Sequence, residues 1–316
     1  MKPPLLLVGH GTRDEKGVAD FMAFVERLDR RLGDREVAGG FIELSPPPLT
    51  DAVGELYGRG HRRVVSVPIM LVAAGHAKGD IPGALIREKE RHDGFDYVYG
   101  RPLGPHPTML RLLAERLDDA LTCASDPTGA SAETGEAGET AVLLVGRGST
   151  DPDANAEVCK VARLFQESHA KQRGVAFVEP AFISLAWPSV SEGLERIRRL
   201  GARRVVVLPY FLFSGILPDR VVDESMAFAA DHSDLHVRCA PVIGDCDGLA
   251  DMIVERYDEA LAGDIRMNCD TCVYRIAMPG FETKVGAPQT PHHHPDDPAH
   301  GHGHGHGHGH AHGHGH

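Results

Sequence analysis

Three side chains that can bind a metal ion or accept a proton follow apolar segments in the first half of the chain. His10 lies in a Gly-His-Gly turn, Glu43 in the segment Phe-Ile-Glu-Leu, and His76 in the segment Ala-Gly-His-Ala. Neutral imidazole ligates divalent transition metals and accepts a proton near pH 7. A nearby carboxylate can act as a ligand, as a proton acceptor or as the group that orients a histidine. The three residues predict a site that presents a metal or deprotonates a substrate.

The second half of the chain repeats the first half but lacks these three side chains. A Gly-Arg-Gly turn puts Arg147 where the first half has His10, and Phe-Ile-Ser-Leu puts Ser184 where it has Glu43. The region of residues 215–216 falls opposite His76. Self-similarity of this extent indicates a tandem duplication of one structural unit. We therefore predict an active first half and a second half whose site has degenerated.

Short apolar strands that alternate with amphipathic helices are expected to position these residues. Apolar residues recur at helical spacing, for example at Phe21, Val25 and Leu28. The alternation predicts α/β units with a parallel sheet covered on both faces, and ligands of such sheets bind outside the carboxyl ends of the strands. Both Gly-X-Gly turns fall there. We expect their glycines to allow a tight turn and the close approach of a ligand. The third glycine of a dinucleotide fingerprint and a Walker pattern are missing, which argues against nucleotide binding.

Composition shifts divide the chain into four parts. Residues 1–122 are predicted to form the active domain and residues 140–263 the degenerate one. Between them, residues 123–139 are small, polar and acidic, which is typical of a flexible linker. Residues 264–316 hold a C-x-x-C segment followed by a histidine-rich tail.

Bulk properties exclude several classes of protein. The net charge is −12 over 316 residues, so that no basic face for nucleic acid is expected. The longest apolar stretch, residues 205–217, is interrupted by proline, serine and glycine and is too short to cross a membrane. No secretory signal pattern opens the sequence, and the cysteines do not form a disulfide framework. These features predict a cytoplasmic protein.

Cys269 and Cys272 form the C-x-x-C motif. By itself the motif allows a redox pair, half of a zinc site, part of an iron–sulfur site or two inert thiols. A full cluster normally needs four thiolates. A cluster here would therefore need another chain, ligands other than cysteine, or Cys239 and Cys246.

Histidine is concentrated at the C-terminal end, where 12 of the 20 histidines lie from His292 onward. Alternating glycine and histidine cannot form a core, which predicts disorder in the absence of a ligand. Flexible imidazoles chelate nickel, cobalt, zinc or copper. An affinity tag is the alternative, but tags are usually uninterrupted histidine runs. We expect a native metal-binding tail that stores metal or raises its concentration near the site, with ligands such as His302, His304, His306 and His308.

The combination of motifs resembles a known family. Gly-His-Gly-Thr-Arg after a strand, Phe-Ile-Glu-Leu followed by prolines, and Gly-His-Ala-Lys-Gly-Asp-Ile-Pro resemble the class II chelatases that include sirohydrochlorin cobaltochelatase and ferrochelatase. The resemblance extends from about Pro4 to Leu261, and the C-x-x-C segment with its tail resembles the long form of the cobaltochelatase. The resemblance implies an α/β fold of two tandem-repeated parallel-sheet chelatase domains, flavodoxin- or Rossmann-like, that face a central cleft.

The resemblance also implies an activity. Such a lyase inserts a divalent metal, without ATP, into sirohydrochlorin, a carboxylate-rich tetrapyrrole of cobalamin and sirohaem biosynthesis. The family's metal-binding and catalytic histidines correspond to His10 and His76, and its acidic site residue to Glu43. Beside the two histidines, Arg13 and Lys78 are the cations we expect to bind substrate carboxylates.

The metal and the class of function stay open at this point. Two histidines and a glutamate accept Co²⁺, Fe²⁺ or Ni²⁺ by geometry, and the tail favours Co²⁺. A ferrochelatase for sirohaem is the alternative within the family, and the motif leaves open an iron–sulfur cluster at Cys269 and Cys272. A metal store or metallochaperone is the alternative from another class, and a protoporphyrin ferrochelatase is a weaker one. The expected partners are sirohydrochlorin and a metal ion, and the sequence also allows a homo-oligomer.

Overall fold

The computed structural model describes residues 2–122 and 140–263. The predicted linker and the segment 264–316, with Cys269, Cys272 and the histidine-rich tail, lie outside the described residues. Within the described ranges, no helix is both long enough and apolar enough to cross a membrane.

The first half is a four-stranded sheet covered by helices. Its elements are β1 (Leu5–Gly9), α1 (Glu15–Leu32), β2 (Val37–Phe41), α2 (Leu49–Gly58), β3 (Arg63–Pro68), α3 (Ile81–Arg91), β4 (Asp96–Tyr99) and α4 (Pro107–Thr122). The strands are all parallel and lie in the order β2-β1-β3-β4. The parallel sheet predicted from the alternating pattern is confirmed.

The second half repeats this arrangement. Its elements are β5 (Thr140–Gly146), α5 (Pro152–Phe165), β6 (Val175–Phe182), α6 (Val190–Arg199), β7 (Arg204–Pro209), α7 (Ile216–Asp231), β8 (His236–Cys239) and α8 (Asp247–Ala262). The strand order is β6-β5-β7-β8, again parallel, so that each strand has its counterpart in the first sheet.

The first helix shows how the sequence builds these elements. Asp14 caps α1, because its carboxylate accepts hydrogen bonds from the N–H groups of Lys16 and Gly17. The helical spacing of its apolar residues confirms the prediction, since Phe21 and Leu28 are buried against the sheet. Gly33 ends the helix with a φ of 31°. The helix therefore starts directly behind the turn that carries His10.

The last helix of each half crosses to the sheet of the other half. Helix α8 packs against β3 and β4 of the first sheet, and α4 packs against β7 and α5 of the second half. One continuous core results, in which residues of α4 such as Leu113 lie with Leu144 and Val206 of the second sheet. Helices α2 and α3 cover the outer face of the first sheet, and α6 and α7 that of the second. The repeat boundaries 1–122 and 140–263 describe the duplication, whereas the packed units exchange these helices.

Candidate active site

The three predicted side chains meet at the carboxyl edge of the first sheet. His10 follows β1, Glu43 follows β2, and His76 begins a single π-helical turn, His76–Asp80, beyond β3. The Nε2 atoms of His10 and His76 lie 3.3 Å and 3.7 Å from Oε1 of Glu43. The imidazole rings are edge to face, with centroids 4.5 Å apart. One ligand atom from each residue lies within 4.8 Å of the others, which is compatible with a single bound metal ion.

His10 presents an unprotonated nitrogen to this site. Its Nδ1 lies 3.0 Å from the carbonyl oxygen of Gly11, which can only accept, so the ring proton belongs on Nδ1 and the lone pair on Nε2. Burial lowers the pKa of His10 to about 3, and the guanidinium of Arg147 and the neighbouring imidazole of His76 contribute in the same direction. The imidazole is therefore neutral at neutral pH, as a metal ligand must be.

His76 is oriented by a residue that the sequence analysis did not identify. Its Nδ1 lies 2.7 Å from Oδ2 of Asp80, whose side chain is only 4% exposed. A carboxylate at this distance holds the ring proton on Nδ1 and leaves Nε2 for a metal, as is common in histidine–metal sites. The signal was present in the sequence, because the two residues are four apart in Gly-His-Ala-Lys-Gly-Asp.

The second glycine of the Gly-His-Gly turn brings His10 to Glu43. Gly11 has a φ of 96°, and a β-carbon there would lie 1.8 Å from the carbonyl oxygen of Glu43. The N–H of Glu43 donates to the carbonyl oxygen of His10 at 3.1 Å. The expected tight turn is present, while the close approach of a ligand to these glycines stays a prediction. At Gly11 it is the chain's own backbone that approaches, because the turns after β1 and β2 are in contact.

The second half holds the loop that carries His76. Glu157 of α5 accepts a hydrogen bond from the N–H of Ala73 at 2.9 Å. Nζ of Lys78 lies 2.7 Å from Asp151 and 3.1 Å from Asp153, both at the start of α5. The Lys78 side chain is 2% exposed. The prediction that Lys78 binds substrate is corrected, because its ammonium is buried between two carboxylates and does not line the cleft.

A cleft of about 750 Å³ opens in front of the three side chains and is lined by both halves. This volume is in the range of sites that enclose a small organic molecule. Arg13, predicted to bind substrate, and Arg147 both line it. Both are exposed, and neither forms an ion pair with another residue of the described ranges. Much of the remaining wall is apolar, including Leu71 and Phe213.

Known proteins of one family are similar to this chain over both halves. The family model CbiX matches twice, at residues 4–120 and 141–260. The chain is 36% identical to a sirohydrochlorin cobaltochelatase of Priestia megaterium, over 87% of this chain and 85% of that protein. It is 30% identical to a sirohydrochlorin ferrochelatase of the same organism, over 82% and 90%.

Solved structures match over both halves as well. SirB from Bacillus subtilis with Fe³⁺ superposes with a TM-score of 0.68 at 26% identity, over 84% of this chain and 97% of that one. The sirohydrochlorin chelatase SirB from Bacillus subtilis subspecies spizizenii, in complex with cobalt, gives 0.66 at 25% identity, over 83% and 97%. The expected pair of tandem chelatase-like domains is therefore confirmed.

Proposed function

Because this chain belongs to the CbiX family, we propose that it is a sirohydrochlorin chelatase, a lyase that inserts a divalent metal into sirohydrochlorin without ATP. The observation that carries the proposal is the convergence of two imidazole Nε2 atoms and one carboxylate at the wall of a cleft. Co²⁺ is the favoured metal, which the greater similarity to a cobaltochelatase supports. Fe²⁺, for sirohaem, is the alternative.

The three side chains would hold the incoming metal. Nε2 of His10, Nε2 of His76 and Oε1 of Glu43 offer one nitrogen or oxygen each, which suits Co²⁺ and Fe²⁺. Because the protein supplies few ligands at an open cleft, further positions on the ion stay free for the nitrogens of the macrocycle. Insertion replaces the protein ligands by pyrrole nitrogens and leaves the imidazoles available for the next ion.

Metal insertion releases two protons from the pyrrole nitrogens. The lowered pKa of His10 supports a role as ligand more than as a proton store. Glu43 lies within 4 Å of both imidazoles, and its carboxylate is the acceptor that we propose for these protons. The cleft is open, so the protons pass from there to water. Asp80 would keep His76 in the tautomer that ligates metal throughout.

The substrate carboxylates need cationic partners in a protein whose net charge is −12. Arg13 lines the cleft beside His10, and Arg147 lines it from the second half. Guanidinium groups bind carboxylates through two parallel hydrogen bonds. We propose these two arginines for that role, in place of Arg13 and Lys78.

The histidine-rich tail would supply metal to this site, as its composition predicts. The cytoplasmic location and a homo-oligomer also remain predictions from the sequence. Cys269 and Cys272 enter no step of the reaction, and an iron–sulfur cluster there has no support beyond the motif itself.

An anaerobic metallation assay tests the proposal. Sirohydrochlorin is mixed with Co²⁺, Fe²⁺ or Ni²⁺, and the visible spectrum is followed with the wild type, with His10→Ala and without protein. We expect the wild type alone to accelerate metallation, fastest with Co²⁺. If no metal is inserted faster than in the blank while the protein binds several equivalents of it, the chain is a metal store or metallochaperone.

A further inference from the structure

Both halves contain the same unusual turn directly after the second strand of their sheet. Leu44 has a φ of 67° and Leu185 a φ of 59°. The N–H of Ser45 donates to the carbonyl oxygen of Glu43 at 2.8 Å, and the N–H of Ala186 donates to that of Ser184 at 2.7 Å. A hydrogen bond from residue i+2 to residue i around a positive φ is a rare and strained kind of γ-turn. The chain has formed it twice.

Leucine is poorly suited to this backbone conformation. A bulky residue with positive φ is an outlier, and leucine lacks the polar group with which asparagine or aspartate relieves the strain. Packing does not compensate, because Leu44 is 48% and Leu185 is 64% exposed. Glycine would form the same turn at less cost. The leucine side chains therefore serve something other than folding, since strained residues of this kind concentrate at ligand sites.

Both leucines line the cleft, one from each half. Leu44 directly follows Glu43 of the metal-binding trio. Ile216 lines the same cleft and is 51% exposed, so that apolar groups of both halves face the opening. The leucines thus offer contacts to an apolar part of a ligand that lies between the halves.

The leucine turn occurs in both halves, whereas the three candidate metal ligands occur only in the first. The leucine contacts are therefore distinct from metal binding. The second half carries Arg147 and Ser184 where the first half has His10 and Glu43. It nevertheless keeps the strained turn and its exposed leucine. Leu185 therefore acts on a part of the ligand that touches both halves, and not on the metal. The flat, conjugated ring of a tetrapyrrole is such a part, because it can be in contact with both halves at once.

We propose that Leu44 and Leu185 are positioning residues that contact the apolar ring of the tetrapyrrole from the two halves and hold its nitrogens at the metal-binding trio. The inference rests on the proposed function and adds to it the residues that orient the macrocycle. Charged groups would bind the periphery of the ring, while this pair fixes the ring itself.

The test replaces each leucine by glycine, which keeps the turn and removes the side chain. Binding of metal-free sirohydrochlorin is followed by its absorbance, and initial rates at saturating Co²⁺ give its KM. For Leu44→Gly and for Leu185→Gly we expect the Kd and the KM for sirohydrochlorin each to rise about tenfold, as loss of one buried leucine contact predicts. The KM for Co²⁺ should change less than twofold, and Tm should stay equal or rise because the strain is relieved.

Two further variants serve as controls. Leu44→Met and Leu185→Met replace leucine by an apolar side chain of similar volume, and they should retain most of the binding. Leu200→Gly removes a leucine that is 62% exposed at the end of α6, away from the cleft, and should change neither constant.

The possible outcomes separate this inference from the proposed function. A wild type that binds the macrocycle without metallating it overturns the chelatase activity, while the binding measurements still test the leucines. Glycine variants that bind sirohydrochlorin as tightly as the wild type overturn the inference. So does a rise in the KM for Co²⁺ equal to that for sirohydrochlorin, because the turn would then act only by placing Glu43.

Discussion

In both halves the turn after the first strand touches the turn after the second. A β-carbon on Gly11 would lie 1.8 Å from the carbonyl oxygen of Glu43, and one on Gly148 would lie 1.8 Å from that of Ser184. The contact between the first two turns is therefore the same in both sheets, although, among the described residues, only the first sheet carries the side chains that could hold a metal there. The two copies thus share the frame of these turns, while the second carries Arg147 and Ser184 in place of His10 and Glu43.

The loop after the third strand differs between the halves. In the first half a π-helical turn, His76–Asp80, precedes α3, whereas in the second half α7 begins directly at Ile216. Single π-helical turns inside helical segments are frequent at functional sites. The second half has in turn become the support of this loop, through Glu157, Asp151 and Asp153. The half without the trio thus contacts and supports the loop of the half that carries it.

The largest difference between the halves is expected between the insertion rates of His10→Ala and Arg147→Ala. The first change removes the Nε2 ligand and should lower the rate of cobalt insertion by about a hundredfold or more. The second removes the proposed partner of a substrate carboxylate at the corresponding position and should lower the rate by less than about tenfold. Anaerobic initial rates check both. If Arg147→Ala were the inactive variant, the assignment of the active half would be wrong.

The orientation of His76 is expected to matter nearly as much. Asp80→Asn keeps the shape of the side chain but removes the negative charge that holds the Nδ1 proton of His76. Loss of such a partner typically lowers metal affinity or activity about 10- to 100-fold. We expect the apparent KM for Co²⁺ to rise by that factor.

Asp219→Asn provides the matched change in the second half. Asp219 lies in the first turn of α7, which follows the corresponding loop without a histidine. The KM for Co²⁺ should be unchanged in this variant. Equal effects of the two substitutions would speak against a specific role of Asp80.

The contribution of the contacts between the second half and the His76 loop can be measured as a free energy of unfolding. Lys78→Met removes an ammonium buried between Asp151 and Asp153 and should lower the free energy of unfolding by about 2 kcal/mol. Lys89→Met removes the exposed partner of Asp96, a pair whose side chains are 54% and 55% exposed, and should lower the free energy of unfolding far less than Lys78→Met does. Urea unfolding of the two variants checks the difference. Equal losses of free energy of unfolding would show that the buried Lys78 contacts do not stabilise the loop.

The last expected effect concerns the pH dependence of stability. The pKa of His10 is lowered from 6.5 to about 3 in the folded chain, so the unfolded chain binds this proton first as the pH falls. Stability contributed by the neutral imidazole is full above pH 6.5 and is lost progressively down to about pH 3. Between pH 7 and pH 5 we expect His10 to account for a loss of about 2 kcal/mol.

His10→Gln should remove this part of the pH dependence, as urea unfolding at the two pH values would show. Arg147→Gln should reduce it, because the charge of Arg147 helps to lower the pKa of His10. An identical loss of stability in the wild type and in His10→Gln would contradict the pKa.

Repeats and local spacing allowed much of the active half to be predicted from the sequence. The trio of His10, Glu43 and His76 could be identified because each residue follows a strand, and parallel strands end at one edge of the sheet. The degenerate copy made the trio conspicuous, since all three residues are missing at corresponding positions. The role of Asp80 was open to the same reasoning, because it lies one helical turn from His76.

The sequence by itself determined the parallel α/β units, their duplication and the three candidate metal ligands, because these follow from periodicity and from short-range order along the chain. Only the tertiary structure decided what crosses between the halves. Lys78 has the sequence context of a substrate contact. Its ammonium is nevertheless neutralised by Asp151 and Asp153, which lie 73 and 75 positions further along the chain. The exchange of α4 and α8 and the hydrogen bond from Ala73 to Glu157 likewise depend on which surfaces meet. Such contacts join distant residues, and no local pattern encodes the distance between them.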